Sequence, residues 1–295
     1  MNIVPSIKHL KSWINQYVPE KDLFFIKEED LFVLEKYLPE VLIIPKKEFY
    51  EHPSYNHIQL VNSYEYWNID DDIQFVIVAQ HGWFNKLPSE KKKILNARQV
   101  EINRGLVLPL PSLNERNSLI ENHVVIKNDQ VYIVLQSQMW NSLSDQLKAD
   151  LLLEYAQEWD SWDGYDVPHN APIHIRKFAN TFPHNAGSNC LSATLYAVTQ
   201  QEWIIHEWVH PKTFEEGIKR AGYFIHEGDF RETDIVAWVN GEGVIQHASY
   251  CLGDYLFFNK NGQTFFNPWK IVEWSTLNEE WQRFTTRVYR RNKQL

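Results

Sequence analysis

Apolar residues along this chain follow two rhythms, and the change from one to the other divides it. Ile7, Leu10, Trp13, Ile14 and Tyr17 recur at helical spacing behind Ser6, a residue suited to cap a first turn. Glu29 to Leu38 predicts a second short helix closed by Pro39, and Glu40-Val41-Leu42-Ile43-Ile44-Pro45 a buried strand. Ile58 to Val61 and Ile73 to Ala79 read as further strands, separated by Asp70-Asp71-Asp72, a solvated turn. Pro88-Ser89-Glu90 opens a helix towards Ile102, and Leu106 to Pro111 is an extended piece marked by prolines. Val124 to Ile126 and Val131 to Leu135 form a hairpin across Lys127-Asn128-Asp129-Gln130. Ser142 to Trp159 is the clearest helix, with Leu143, Leu147, Leu151, Leu152, Tyr155 and Trp159 on one broad stripe.

Beyond Trp159 the pattern changes. The loop Asp160 to Pro168 is followed by an apolar helical run from Cys190 through Ala193, Leu195, Tyr196 and Ala197. A second helix starts at Pro211, with Thr213 and Glu216 at capping-box spacing, and stops at Gly222. From Asp234 the rhythm is that of strands: Asp234 to Val239, Val244 to Leu252, Tyr255 to Lys260 and Gln263 to Asn267. Turns at Asn240-Gly241, Gly253-Asp254 and Asn261-Gly262 join them into an antiparallel meander. The chain is therefore expected to be α+β, with a mixed α/β N-terminal domain over 1–160 and a C-terminal domain over 161–295.

Composition sharpens this picture. The 295 residues include 44% hydrophobic and 14% aromatic positions with 12 Trp, ample for buried cores. The formal net charge is −9, and no basic cluster exceeds Lys91-Lys92-Lys93 or Arg290-Arg291-Asn292-Lys293, which argues against a nucleic-acid partner. No run approaches the roughly 18 apolar residues of a membrane span. The start, Met1 to Lys8, lacks the order of charged, apolar and cleavage regions that a secretory signal has. Only Cys190 and Cys251 are present, so no disulfide framework is visible. A cytoplasmic protein is expected, with no nucleic acid and no membrane among its partners and no cofactor implied.

The candidate chemistry centres on Ser188-Asn189-Cys190, after the loop His184-Asn185-Ala186-Gly187. A thiol at a helix N-terminus meets the positive end of the macrodipole and unpaired backbone N–H groups, which favour the thiolate and could hold an oxyanion. A cysteine nucleophile also needs an imidazole, itself oriented by a polar partner. Among 12 His, His247 is the pointed choice because it lies within the strand run Val244 to Tyr250. Cys251, beside Tyr250 and Leu252, reads as inert core.

Three ordered motifs resemble papain-like, NlpC-type cysteine hydrolases: Asn189-Cys190-Leu191-Ser192, Asp234-Ile235-Val236-Ala237-Trp238, and His247 to Asp254 followed by Phe257-Phe258-Asn259. The resemblance spans about 180–270. It departs from the family where Asn189 stands for the usual Asp before the cysteine and Leu191-Ser192 for Ser-Gly after it. It implies a Cys-led helix packed on an antiparallel sheet, with Cys190 as nucleophile, His247 as base and Asn259 as its orienter. It further implies hydrolysis or acyl transfer at an amide or ester of a peptide or small substrate.

Strand parity bears on the third residue. A two-residue turn at Gly253-Asp254 would set His247 opposite Lys260 and turn Asn259 to the other face, whereas an odd loop or a bulge restores Asn259 to the face of His247. The turn at Asn261-Gly262 would pair Asn259 with Thr264 and Leu256 with Asn267. Asn259 and Asn267 then face opposite ways and only one can serve; Asn259 is preferred. The Cys190 N–H is the first oxyanion donor, with His184 or Asn185 as the second.

Two other readings stand beside this one. His206-Glu207-Trp208-Val209-His210 matches H-E-x-x-H, a zinc-peptidase motif when helical, but Pro211 biases His210 out of the helix and no third ligand has a recognisable spacing. The alternative of a different class is a non-catalytic binding module on a papain-like fold. The aromatic, acidic run Trp159 to Asp166 reads as an ordered interdomain loop with buried tryptophans, or as a ligand lip or cation site.

Overall fold

A computed structural model describes residues 1–110 and 121–292. Pro111 of the expected extended piece and Lys293 of the terminal basic run lie outside the described residues. In chain order the elements are α1 (Ile7–Tyr17), β1 (Asp22–Ile26), α2 (Glu28–Leu34), β2 (Leu42–Pro45), α3 (Lys46–Glu51), α4 (Ile58–Tyr64), β3 (Phe75–Ala79), α5 (Trp83–Lys86), α6 (Ser89–Glu101), β4 (Val107–Pro109), β5 (Val124–Lys127), β6 (Gln130–Val134), α7 (Ser137–Ser142) and α8 (Asp145–Trp159). They continue with α9 (Ile173–Phe178), α10 (Cys190–Thr199), α11 (Pro211–Arg220), β7 (Tyr223–His226), β8 (Ile235–Val239), β9 (Ile245–Gly253), β10 (Leu256–Lys260), β11 (Trp269–Glu273), α12 (Trp274–Glu280) and β12 (Thr285–Arg291). The protein is α+β, and every strand pairing is antiparallel. Among the described residues no helix is long and apolar enough to cross a membrane.

The chain divides into two compact units. One is Trp13–Tyr155; the other joins Met1–Ser12 to Ala156–Leu295. The first twelve residues thus leave the N-terminal domain drawn from sequence. Ile3 N donates to Trp162 O at 2.8 Å, and Asn2 bridges to Asp163. Such long-range pairing has no local signature.

The unit Trp13–Tyr155 holds two three-stranded sheets, ordered β1-β3-β2 and β4-β6-β5. Phe24, Ile26, Ile77 and Ala79 build one core with Leu34, Trp83, Phe84 and Leu95. The expected strand at Ile58 to Val61 is the helix α4 instead. Ile58, Val61 and Tyr64 repeat every third residue, and the helical period wins once Tyr64 is included. The Asp70-Asp71-Asp72 turn is exposed, with Asp72 N donating to Asp70 Oδ1 at 3.1 Å. The long helix begins at Asp145, behind the separate α7, and not at Ser142.

The second unit is built on one six-stranded sheet, ordered β11-β10-β9-β8-β12-β7. Alternation along each strand sorts its side chains into two layers. Ile235, Ala237, Ala248, Tyr250, Leu252, Phe258 and Ile271 pack with α10 and α11 on one face. Val236, Trp238, Cys251, Phe257 and Val272 pack on the other with Leu277, Trp274 and Trp281, at and just after α12. Cys251, 1% exposed, is core as expected.

Two local expectations fail here. Gln263 to Asn267 is not a strand. Thr264 Oγ1 donates to Asn267 Oδ1 at 2.5 Å and accepts from Phe266 N at 3.2 Å, so side chains fold the segment on itself. β10 pairs instead with β11, Asn259 against Lys270 and Leu256 against Glu273, which removes the expected Asn259–Thr264 and Leu256–Asn267 pairs. The N-cap of α11 is His210, with Pro211 at the first helical position, so Thr213 lies inside the helix.

Candidate active site

Asn189 and Ser192 close the start of α10 reciprocally. Asn189 Oδ1 accepts from Ser192 N at 3.0 Å and Ser192 Oγ accepts from Asn189 N at 2.9 Å. Asn189 Nδ2 donates to Val209 O at 2.8 Å, which ties the cap to the segment before α11. Replacing Asn189 with alanine is expected to destabilise this unit by about 1 kcal/mol, read as faster hydrogen exchange of the first-turn amides of α10. Just upstream, Gly187 adopts φ 123° and its N–H donates to Gln263 O at 2.8 Å. Ser188 Oγ accepts from Trp269 Nε1 at 3.1 Å.

Cys190, first residue of α10, is 9% exposed within the core that contains Ala248 and Phe258. The expected low thiol pKa is corrected. Burial pushes it up to about 11, against the pull of backbone amides of Ala248, Leu191 and Cys190 itself and of the Lys260 charge. The helix start does favour a thiolate, but taking that charge out of water outweighs it.

Lys260 is the residue that sequence reasoning missed. It is wholly buried, and its Nζ donates to Thr264 O at 3.0 Å and Gly262 O at 3.3 Å. Burial pulls its pKa down to about 7, opposed by Asp160 and Cys190. The amine is therefore half neutral near neutrality and lies within electrostatic range of the thiol. A lone cation closing the apolar strand Leu256-Phe257-Phe258-Asn259-Lys260 was the available signal.

His247 and Asn259 do meet. His247 Nε2 lies 2.8 Å from Asn259 Oδ1, which also accepts from Ser249 Oγ at 2.6 Å. An amide oxygen only accepts, so Nε2 carries the proton. The condition derived from parity is met by a bulge: Leu256 pairs with Gly253 but Phe257 with Cys251. The reserve, Asn267, takes no part. It accepts from Thr264 and its Nδ2 donates to Trp159 O at 3.5 Å.

The same sheet separates this pair from Cys190. The imidazole stacks on Trp281 with centroids 4.1 Å apart and lies 5.4 Å from the Trp238 ring, in the layer opposite α10. No hydrogen bond joins it to Cys190 among the described residues. The cause is a second bulge. Trp238 pairs with His247 and Val239 with Ile245, which leaves Gln246 as an extra residue. Ile245 faces α10, and had Gln246 been matched one-to-one across the ladder, strict alternation would turn His247 the same way. Burial lowers the His247 pKa to about 3, so the ring is neutral. The Cys190–His247–Asn259 triad is therefore not assembled.

The remaining sequence candidates have plain positions. His184 stacks on His9 with centroids 4.5 Å apart, and Asn185 is exposed. The backbone amides of Ala248 and Leu191 act on the Cys190 sulfur itself. H-E-x-x-H is not a helix. His206 ends a 3-10 turn and packs on Phe178 and Trp269, whereas Glu207 and His210 are extended. No three potential ligands converge on a metal site among the described residues.

Behind the sheet a polar chain continues from Asn259. Its Nδ2 donates to Asn261 Oδ1 at 3.0 Å, and Asn261 Nδ2 donates to both Asp160 Oδ1 at 3.2 Å and Glu280 Oε1 at 2.9 Å. Asp160 also pairs with buried Lys270 at 2.8 Å. Burial and the Asp160 charge push the Glu280 carboxyl above its ordinary range. Asp160, Asp163, Tyr165, Asp166, Lys270 and Glu280 help line a cavity of about 630 Å³. The Trp159 to Asp166 run is thus an ordered wall, with Trp162 Nε1 donating to Phe266 O at 3.1 Å.

Comparison with family models, with curated proteins and with solved structures finds no match to this chain.

Proposed function

We propose that the C-terminal unit is a thiol hydrolase or acyltransferase of papain-like layout, with Cys190 as nucleophile and Lys260 in place of a histidine base. The observation that carries this reading is the wholly buried Lys260 amine, two residues from Phe258 on the α10 face of β10 and within electrostatic range of a thiol at the head of α10. Lysine serves as the base in known variants of the serine triad, and burial, by lowering its pKa, leaves a neutral amine able to accept a proton near neutral pH.

In the reaction, the Lys260 amine takes the Cys190 proton as sulfur attacks an amide or ester carbonyl. Backbone amides at the start of α10 hold the tetrahedral oxyanion. Collapse expels the amine or alcohol, which takes the proton from the Lys260 ammonium and leaves a thioester on Cys190. Water, giving its proton to Lys260, or an acceptor nucleophile then releases the acyl group and restores the thiol. His247 and Asn259 take no chemical part.

One observation favours a non-catalytic binding module instead: the imidazole that the resemblance assigns as base is sealed on the far face against Trp281. Exposure to p-nitrophenyl acetate separates the two. The thiol reading expects an acetyl group on Cys190, formed in preference to Cys251 and faster as pH rises through about 7. Acetylation of Cys190 no faster than that of Cys251 would leave the binding module standing.

A further inference from the structure

The two edges of the six-stranded sheet are treated differently. Along β11 the edge is closed: Thr181 bridges Trp269, Tyr165 N donates to Ile271 O at 2.8 Å, and Asn180 Oδ1 accepts from Ile271 N at 3.1 Å. At the opposite edge, β7 pairs with β12 on one side only. Asn292 N donates to Gly222 O at 2.9 Å, so by alternation Phe224 and His226 also bond towards β12, whereas the N–H and C=O groups of Tyr223 and Ile225 point outward. No backbone partner meets those groups among the described residues.

Exposed edges are usually blunted by a lysine, a proline or a covering segment. β7 reads Tyr223-Phe224-Ile225-His226 and carries none of these. Phe224 is 46% exposed and Ile225 63%, one apolar side chain on each face of the edge. The flanks are charged with opposite sign: exposed Lys219 and Arg220 precede the strand, and exposed Glu227 and Asp229 follow it.

We propose that β7 is a homodimer edge, pairing antiparallel with β7 of a second copy of this chain about a two-fold axis at Phe224. Centred there, Tyr223 of each copy exchanges backbone hydrogen bonds with Ile225 of the other, which uses every outward group. The two Phe224 rings meet as a non-hydrogen-bonded cross-strand pair on one face. Each Ile225 is covered by the other copy's Tyr223 on the opposite face. Antiparallel pairing also brings the basic end of each strand to the acidic end of its mate, whereas parallel pairing would set like against like. The charge pattern thus selects a copy of the same strand.

Sedimentation of the full chain over a concentration series should show a reversible monomer–dimer equilibrium. Ile225→Lys should weaken it by about tenfold or more, since the buried apolar contact is lost twice per dimer. Phe224→Cys supplies a readout independent of affinity. Opposed residues of a non-hydrogen-bonded pair have Cα atoms about 4.5 Å apart, within disulfide range, so mild oxidation should yield a cross-linked dimer. The same treatment of His226→Cys, which faces no cysteine in this register, should not. A chain that stays monomeric throughout, or a dimer indifferent to Ile225→Lys with no cross-link through Phe224→Cys, overturns the proposal.

Discussion

Lys260→Met is expected to slow acylation of Cys190 by about 10²-fold, the lower end of what a positioned base contributes. Wild-type reactivity should rise as the amine deprotonates, through about pH 7. Without the amine it should follow the thiol alone, which burial holds near 11. The variant should also fold at least as well as the wild type. At and below pH 7 the native state confines an ammonium whose hydrogen bonds among the described residues go to the carbonyls of Gly262 and Thr264, and an unbranched apolar chain of similar length avoids that cost. Slower acylation in a well-folded variant thus separates loss of a base from loss of structure. His247→Gln makes the contrast, because its per-molecule acylation rate should stay near that of the wild type. Equal rates for wild type and Lys260→Met would remove Lys260 from the reaction.

The second large effect concerns acid. In the native state His247 is neutral with its pKa lowered to about 3, whereas the unfolded chain titrates at the ordinary value of 6.5. Between those values the unfolded state binds the additional proton. The contribution is therefore fully present above pH 6.5 and is lost as pH falls towards 3. At about 1.4 kcal/mol per pH unit, acidification from pH 7 to 4 should remove roughly 3 kcal/mol. His247→Gln keeps an N–H for Asn259 but does not titrate, so the wild-type loss minus the variant loss isolates this residue. Hydrogen exchange of the β9 and β10 amides at the two pH values measures it within this unit. A variant that loses as much stability as the wild type would show that the ring is already protonated, or accessible, in the native state.

Both effects follow from side chains whose types were legible and whose places were not. The apolar run from Cys190 announced a helix that starts at the cysteine, and the structure has it; the Asn189 cap was seen only in the structure. The strands around Ala237, Ala248 and Phe258 were readable as apolar runs separated by the turns Asn240-Gly241, Gly253-Asp254 and Asn261-Gly262. The Gly253-Asp254 connection was recognised as needing an irregularity to bring Asn259 to His247, and the bulge at Leu256 supplies it. The strand expected at Gln263 to Asn267 failed because Thr264 and Asn267 bond locally, a choice that an Asn-Gly turn signal does not reveal.

What the sequence determined by itself is the inventory: an α+β chain, a cysteine at the head of a buried helix, a histidine and an asparagine on neighbouring strands. What only the tertiary structure decided is which of these share a face. Alternation fixes the relation between residues two apart only while each is matched one-to-one across the ladder. One unmatched residue, Gln246, reverses the parity and carries His247 to the layer of Trp281. Lys260 was as visible in the sequence as Cys190. Its burial, and with it a pKa near 7, comes from packing that no local pattern encodes.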